Sequence, residues 1–268
     1  MVIPGRIDIG IPGMNEILHG GLPRGLTVLL SGEAGTGKSI FAYQFLYRGL
    51  RQDEPGVLLE LEDYPARVRM NMAMFGWDVK PYEDRKSFAI IDCFTGGETT
   101  KKEKYVVRDP TDIPSIIEAL RTAVKDVKAE RVVVDSISTL YLIKPEHARQ
   151  AIIQIKRLLV SLGCTSLLIW QKGVASGNIP TTTYIEHIAD GIIRFRRSIK
   201  SGELKRYVLI EKMRQTNHSR YLHEIDIVSG KGLVIVGPIE RRREDFSLPR
   251  EVSRKIIESR KKTEEEIP

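Results

Sequence analysis

One short segment constrains the fold of this chain more than any other, because it matches the pattern G-x-x-x-x-G-K-[ST] between a predicted strand and a predicted helix. Its residues are Gly32, Glu33, Ala34, Gly35, Thr36, Gly37, Lys38 and Ser39. In such a loop the backbone N–H groups, the amino end of the helix and the lysine bind phosphate oxygens, and the final hydroxyl can ligate Mg²⁺. The segment therefore predicts an α/β fold with a phosphate site at Lys38 and a magnesium ligand at Ser39.

Short apolar runs alternate with helical patterns along the chain, which predicts a mostly parallel central sheet with flanking helices. The predicted strands are Thr27–Ser31, Val57–Leu61, Phe88–Asp92, Val132–Asp135 and Ser166–Trp170. The predicted helices are Ile40–Leu50, Ile113–Lys125 and Ala148–Leu162. Three later strand-like runs, Gly191–Phe195, Tyr207–Glu211 and Gly232–Val236, are separated by short turns, so we expect antiparallel hairpins in this C-terminal region.

Composition and charge runs divide the 268 residues into one domain and a tail. The content of 41% hydrophobic and 29% charged residues is typical of a globular protein. We expect one phosphate-binding α/β domain over residues 1–238 and a charged extension over residues 239–268, which is either solvated or a docking arm. Within the domain, the composition of Thr95–Arg108 predicts an exposed excursion between a strand and a helix.

The same survey bears on location and on cysteine chemistry. No apolar run approaches the roughly 18 residues that a membrane-spanning helix needs, and no secretory signal pattern is present. We therefore expect a cytoplasmic protein without membrane insertion. The two cysteines, Cys93 and Cys164, have no metal-binding spacing and are expected to be buried thiols.

Polar groups at three further strand ends supply what a phosphate site requires. An apolar strand ends at Asp135, which we expect to hold Mg²⁺ together with Ser39. A second strand delivers Glu60 and Glu62 to one face by alternation, and we expect Glu62 to deprotonate an attacking water with help from Asp63. A solvated acidic turn is the alternative at that position. Gln171 ends a third strand, where it either senses the γ-phosphate or is an ordinary strand-end residue.

Several motifs together resemble those of the KaiC-like ATPases, a branch of the RecA/RadA superfamily. The matching segments are Gly10-Ile11-Pro12-Gly13-Met14-Asn15, Gly20-Gly21-Leu22-Pro23, the phosphate-binding loop, Leu61-Glu62-Asp63-Tyr64-Pro65, Val134-Asp135-Ser136 and Lys212-Met213-Arg214-Gln215-Thr216-Asn217-His218. They cover about residues 5–237, and the last is the most distinctive, because the loop pattern occurs in many families. The resemblance implies a RecA-like P-loop NTPase core that binds ATP and Mg²⁺ between the subunits of a ring, usually a homohexamer.

The resemblance also implies roles for single residues. Glu62 and Asp63 stand where the family's Glu-Glu pair activates water. The residues that would reach the nucleotide of a neighbouring subunit are Lys212, Arg214, Thr216 and His218. Two cations at alternate strand positions share a face, which suits the neutralisation of a γ-phosphate. Glu186 and His187 replace the Ser-Thr pair of the clock protein's autokinase half, which argues against autophosphorylation there, and we expect Thr181–Thr183 to lie in a polar loop.

Three functions are compatible with these residues. The first is a slow Mg²⁺-dependent ATPase whose homo-oligomeric ring couples its nucleotide state to binding of a protein partner. The second, a RadA-paralogue-like protein that binds single-stranded DNA, is motivated by the pI near 9.3 and the predicted loop Lys172–Thr183, although that loop carries a single lysine and no arginine. The third is a nucleotide-gated scaffold with negligible hydrolysis. Nine basic and two acidic residues between Arg194 and Arg220 account for the net charge of +7, and their position favours an interface that faces a neighbour's triphosphate.

Overall fold

The computed structural model of the protein describes residues 5–96, 103–172 and 181–239, and of residues 181–184 it describes only the backbone. Its strands are β1 (Arg6–Ile7), β2 (Leu22–Pro23), β3 (Thr27–Gly32), β4 (Gly56–Glu60), β5 (Phe88–Asp92), β6 (Tyr105–Val106), β7 (Arg131–Asp135), β8 (Thr165–Gln171), β9 (Gly191–Lys200), β10 (Glu203–Met213), β11 (His223–Val228) and β12 (Gly232–Pro238). Its helices are α1 (Met14–Ile17), α2 (Lys38–Leu50), α3 (Pro65–Ala73), α4 (Lys80–Asp84), α5 (Ile113–Val127), α6 (Ile137–Ile143), α7 (Pro145–Ser161) and α8 (Thr181–Ile188).

Ten of these strands form one sheet in the order β12-β11-β10-β9-β3-β8-β7-β4-β5-β6. In the part of this order that runs from β9 to β6, every two neighbouring strands are parallel. The pairs β9-β10 and β10-β11 are antiparallel. The predicted α/β fold, with a mostly parallel sheet and antiparallel strands in its C-terminal region, is therefore confirmed.

Helices cover both faces of the sheet, which explains why its central strands read as continuous apolar runs. Alternation along β4 sends Leu58 to one face, where it joins the core that contains Phe41 of α2. Val57 and Leu59 point to the other face and join the core that contains Ile116 of α5. Both cores end where the parallel strands end, so the polar residues that follow β3, β4, β7 and β8 meet at one edge.

The C-terminal strands extend further than the sequence predicts. β9 and β10 pair along their whole length, while β3 pairs only with Gly191–Arg194 of β9. The rest of this hairpin projects past the central sheet at the end where the phosphate-binding loop begins. β11 was not among the predicted strands, because charged residues alternate with apolar ones along it and one face stays in water.

Two sequence predictions are wrong in part. Thr95–Arg108 is not simply an exposed excursion, since Tyr105–Val106 pairs with β5 and Val107 is buried. In the same segment the Glu103 carboxylate accepts a hydrogen bond from Arg69 at 2.7 Å. From composition alone a charged residue is expected to be exposed, whereas this ion pair allows Glu103 to be partly buried. The backbone of residues 181–183 begins α8 rather than a loop, and residues 173–180 of the proposed DNA-contacting loop lie outside the described ranges.

The described residues up to Gly237 form one compact unit. Within the described ranges, no helix is both long and apolar enough to cross a membrane. Cys93 and Cys164 are free and buried, as predicted.

Candidate functional site

The turn from β3 into α2 has the geometry of a phosphate-binding loop. Gly32 ends β3 beside β9, where a Cβ atom would lie 2.6 Å from the carbonyl oxygen of Phe195, so only glycine fits. Gly37 caps α2 with a left-handed φ of 98°, and the helix begins at Lys38. The unpaired N–H groups of the first turn of α2 therefore face the space that the loop encloses.

The Lys38 ammonium group lies inside this loop and is bound by the loop itself. Its Nζ donates to the carbonyl oxygen of Glu33 at 2.7 Å, and the Thr36 hydroxyl donates to the same oxygen at 2.8 Å. Burial lowers the pKa of Lys38, while the nearby carboxylates of Asp135 and Glu62 act in the opposite direction. A phosphate group would replace the carbonyl as the partner of a cation that is already desolvated.

Asp135 ends β7 next to the first turn of α2, where its carboxylate is hydrogen-bonded to the Ser39 hydroxyl. Burial raises the pKa of Asp135, and the charge of Glu62 adds to that effect. Within the described ranges, no group of three or more His, Cys, Asp or Glu residues could hold a metal ion. One carboxylate and one hydroxyl nevertheless fit Mg²⁺, which usually takes few protein ligands and completes its shell with phosphate and water.

Glu62 lies two residues past the end of β4 and lines the same cavity as Lys38 and Asp135. Its Oε1 atom accepts hydrogen bonds from the hydroxyls of Ser136 and, at 3.1 Å, of Thr139. Asp63 turns toward α3 instead, since its Oδ1 accepts from the Tyr64 backbone N–H at 2.9 Å and pairs with Arg67 at 3.4 Å. Of the two predicted acidic residues, only Glu62 is held beside Asp135 by side chains that follow β7.

Glu60 is the residue of this site to which the sequence analysis gave no role, although the alternation of Glu60 and Glu62 was a signal. It is 1% exposed and lies opposite Asp135 in the β4-β7 register. Its Oε1 atom accepts from the backbone N–H groups of Glu62 at 3.1 Å and Asp63 at 3.0 Å, while Oε2 has no partner among the described residues. Burial and the charge of Asp135 raise the pKa of Glu60 well above its ordinary range.

Two adjoining cavities connect these groups. The first, of about 240 Å³, is walled by the loop, Lys38, Ser39, Glu62, Asp135 and Gln171. The second, of about 540 Å³, shares four wall residues with the first and continues past Glu60 and Asp63 to an apolar wall of Ile40, Tyr43, Met74 and Phe75. The structure thus brings the predicted loop, metal ligands, base and Gln171 to one place, with the backbone N–H of Gln171 donating to the Ser138 hydroxyl at 2.7 Å.

The predicted cations Lys212 and Arg214 are not in these cavities. Lys212 Nζ donates to the carbonyl oxygens of Ala189 at 2.7 Å and Glu186 at 3.2 Å, and Arg214 donates to Asp190 at 3.0 Å. Asp190 also accepts from the backbone N–H of Thr27, the first residue of β3. Thr27 and Gly32 are five residues apart in an extended strand, about 16 Å. The Arg214 guanidinium, which is joined to Thr27 through Asp190, therefore lies at the opposite end of β3 from the loop.

Thr216 and His218 follow Arg214 in the chain and, like Arg214, do not line the two cavities. The Thr216 hydroxyl accepts from Arg6 at 2.9 Å. The His218 ring nitrogen Nδ1 lies 2.9 Å from the carbonyl oxygen of Ser219. The four residues from the segment 212–218 therefore do not meet the phosphate-binding loop of their own chain.

Comparisons with known proteins identify the family to which this chain belongs. The family described as "ATPase: KaiC" matches residues 7–240. The UPF0273 protein PH0284 of Pyrococcus horikoshii is 50% identical over 232 residues, which are 86% of this chain and 93% of that protein. A UPF0273 protein of Thermotoga maritima is 49% identical over 232 residues, which are 86% of this chain and 95% of that protein. The crystal structure of the KaiC-like protein PH0186 from Pyrococcus horikoshii superimposes with a TM-score of 0.73 at 35% identity, covering 87% of this chain and 99% of that one. The chain is a member of the KaiC-like ATPase family.

Proposed function

We propose that the protein is an Mg²⁺-dependent ATPase that hydrolyses ATP slowly at the interfaces of a homo-oligomeric ring, and that its nucleotide state controls binding to a protein partner. The observation that carries the hydrolytic part is the meeting of Lys38, Ser39, Asp135 and Glu62 around one small cavity. A phosphate-binding loop alone binds nucleotide, whereas a carboxylate across the cavity from the lysine adds a base for water.

Each group in the cavity has a role in this proposal. The loop N–H groups and Lys38 bind the β- and γ-phosphates, with Lys38 exchanging the Glu33 carbonyl for a phosphate oxygen. Ser39 and Asp135 hold Mg²⁺, which would neutralise charge on the phosphates. Glu62 accepts the proton of the attacking water, and Gln171 lies across from it to contact the γ-phosphate. The larger adjoining cavity has room and an apolar wall for the rest of the nucleotide.

The proposed low turnover has a structural rationale at Asp63. Its carboxylate is engaged by the Tyr64 backbone and by Arg67, so the acidic pair would act as a single base rather than as two.

The ring is supported by where the remaining cations lie. Lys212 and Arg214 are at the end of β3 opposite the loop, so they can contact a triphosphate only in another subunit. In that subunit they would supply the charge that stabilises the transition state, as an arginine finger does. Met70 on α3 and Met74 at the end of that helix are 57% and 75% exposed, and such apolar groups beside the site suit burial against a neighbour.

Two substitutions test the role of the cavity. Lys38→Ala should abolish ATP binding, because it removes the cation inside the loop. Glu62→Gln should retain ATP binding and lower phosphate release at least about 100-fold, as expected on loss of a general base. Binding is measured with a fluorescent ATP analogue and turnover by phosphate release over hours. Unchanged turnover in Glu62→Gln would contradict the assignment of the base, and no turnover in the wild type would favour a scaffold.

A mixing experiment tests the contribution of the neighbour. Arg214→Ala subunits keep an intact loop and base, whereas Glu62→Gln subunits keep intact cations. We expect each variant alone to be inactive and mixed oligomers to recover part of the wild-type rate. Mixtures that stay inactive, although mass measurements demonstrate mixed oligomers, would contradict action between subunits.

A further inference from the structure

We propose that Glu60 is a positioning residue for hydrolysis: its buried carboxylate holds the backbone that carries Glu62 and so fixes the candidate base against the phosphate-binding loop. This inference rests on the proposed function, since it concerns the base of that reaction. One oxygen of Glu60 contacts the backbone of Glu62 and Asp63. The side chain of Glu62 would then act on the attacking water.

The geometry places the Glu62 segment between two sets of hydrogen bonds. From inside the sheet, Oε1 of Glu60 accepts from the N–H groups of both Glu62 and Asp63, at 3.1 and 3.0 Å. From the cavity side, the hydroxyls of Ser136 and Thr139 donate to the Glu62 carboxylate. The backbone and the side chain of Glu62 are therefore fixed by different residues, and removal of either set frees a different part of it.

The second oxygen of Glu60 argues that this carboxylate does not serve stability. Oε2 is buried and has no hydrogen-bond partner in the part of the chain that the structure describes, although Glu60 lines the larger cavity. An unpaired buried oxygen lowers stability relative to an apolar side chain of the same size. A leucine would fill the position without this cost but would leave the N–H groups of Glu62 and Asp63 without an acceptor.

The consequence for the reaction follows from position. β4 ends at Glu60, so Glu62 is already beyond the hydrogen bonds that hold the sheet together. A displacement of a reacting group by about 1 Å can lower a rate about 100-fold. Loss of the Glu60 acceptor should therefore lower kcat, while the loop, Lys38 and Ser39 continue to bind ATP.

Glu60→Leu and Glu60→Gln provide the test, with kcat, the Kd for ATP and the thermal midpoint measured on the full chain. Glu60→Gln retains an oxygen that can accept from both N–H groups, so its kcat should stay within about threefold of the wild type. Glu60→Leu should lower kcat about 10- to 100-fold with Kd within about twofold, and its thermal midpoint shows whether the variant is folded at the assay temperature. If Glu60→Leu does not fold, Glu60→Met replaces it with a more flexible side chain of similar size.

A double variant separates this inference from the proposed function. If Glu60 acts through Glu62, then Glu60→Leu lowers the residual rate of Glu62→Gln by no more than about twofold, because positioning has no value without the base. A wild-type kcat in Glu60→Leu, or equal losses of kcat and ATP affinity in both Glu60 variants, would overturn the positioning role. If Glu62→Gln alone turns over at the wild-type rate, it is the base assignment that fails.

Discussion

Two hydroxyl groups determine where the carboxylate of Glu62 points. Ser136 directly follows the predicted metal ligand Asp135, and Thr139 lies one turn further along α6, so both reach Oε1 of Glu62 from the same helix. A carboxylate held by two donors is fixed in orientation, which a base next to a γ-phosphate requires. The position of the proposed base is therefore set by residues to which the proposal gives no reacting role.

Thr139 allows this orientation to be tested with a matched pair of variants. Thr139→Val keeps the shape of the side chain but removes the hydroxyl, and we expect kcat to fall about 10-fold, the value of one hydrogen bond to a charged group. Thr139→Ser keeps the hydroxyl and should remain within about twofold of the wild type. Phosphate release at saturating ATP measures both, and equal rates in the two variants would show that the bond has no role in turnover.

The sequence predicted the members of the cavity because a strand end is a position that a pattern can locate. Asp135 and Gln171 end their strands, and Glu62 lies two residues past the end of β4. Lys38 belongs to the loop motif, and all four residues line one cavity. The contacts among side chains were not predictable in the same way. No periodicity or motif indicates that Glu60 accepts from the N–H groups of Glu62 and Asp63, because these bonds depend on how the backbone turns after β4.

At the scale of elements, a buried arginine joins the start of β7 to two other parts of the fold. Arg131 is fully buried, and its guanidinium pairs with Glu54 while donating to the backbone carbonyls of Asp8 and Phe45. The contact links β7 to the C-terminal half of α2 and to the N-terminal segment. A buried ion pair whose other hydrogen bonds are satisfied becomes costly when one partner is removed, because the remaining charge stays unpaired.

We therefore expect Arg131→Met to lower the free energy of unfolding by about 3–5 kcal/mol. Arg121→Met is the control, because Arg121 is 42% exposed and its ion pair is with Glu118 on the same helix, so its loss should change stability by less than about 0.5 kcal/mol. Denaturant unfolding followed by circular dichroism measures both. Equal stability of the two variants would mean that Glu54 finds water or another partner.

β11 begins with a second buried polar residue, His223, whose ring predicts a pH dependence of stability. Nε2 lies 2.8 Å from the Ser219 hydroxyl, Nδ1 has no partner among the described residues, and burial lowers the pKa of the ring. As the pH falls through the ordinary value of 6.5, the unfolded chain takes up a proton that the folded chain does not bind. The stability that the neutral ring contributes is therefore present above that pH and is lost below it.

The expected result is a steeper fall of the thermal midpoint between pH 7.5 and pH 5 in the wild type than in His223→Gln. His147 is 59% exposed and its Nδ1 atom lies 3.1 Å from the Glu146 carboxylate, so His147→Gln is a control for the replacement of an exposed histidine. Thermal scans of the three proteins at five pH values measure the difference. Parallel curves for the wild type and His223→Gln would exclude this contribution.

The strands and helices that the sequence located well are those buried on both sides or amphipathic over several turns. Phe88–Asp92 has the predicted bounds, and the helix predicted over Ile113–Lys125 extends by only two residues. The elements that it missed, such as β11 and the edge strand β6, are held by pairing with neighbours rather than by an apolar pattern of their own. The helical start of α8 at residues 181–183 was missed for a related reason, because three threonines carry no helical pattern.

At the scale of the whole molecule, the net charge of +7 is less concentrated than the sequence alone indicates. Of the nine basic residues between Arg194 and Arg220, the structure pairs Arg194, Arg197, Lys205 and Arg214 with carboxylates from outside that window. One of those carboxylates belongs to Glu33 in the phosphate-binding loop itself. Cations already engaged by carboxylates contribute less to a field that attracts nucleic acid, so the charge gives little support to a DNA-binding function.

The separation of the two halves of the site has a consequence for assembly. The loop lies at the carboxyl end of β3 and Arg214 at its amino end, so one ATP can be contacted by both only when it bridges two subunits. A ligand that binds an assembled state better than a free subunit shifts the equilibrium toward assembly.

We expect the molar mass from light scattering, measured at low micromolar protein, to rise when Mg²⁺ and a slowly hydrolysed ATP analogue are added. Lys38→Ala should not respond, because it cannot bind the analogue, whereas Arg214→Ala should respond only at higher protein concentration. A monomer mass at saturating analogue would contradict a site shared between subunits, and a rise of equal size in Lys38→Ala would mean that assembly does not depend on the nucleotide.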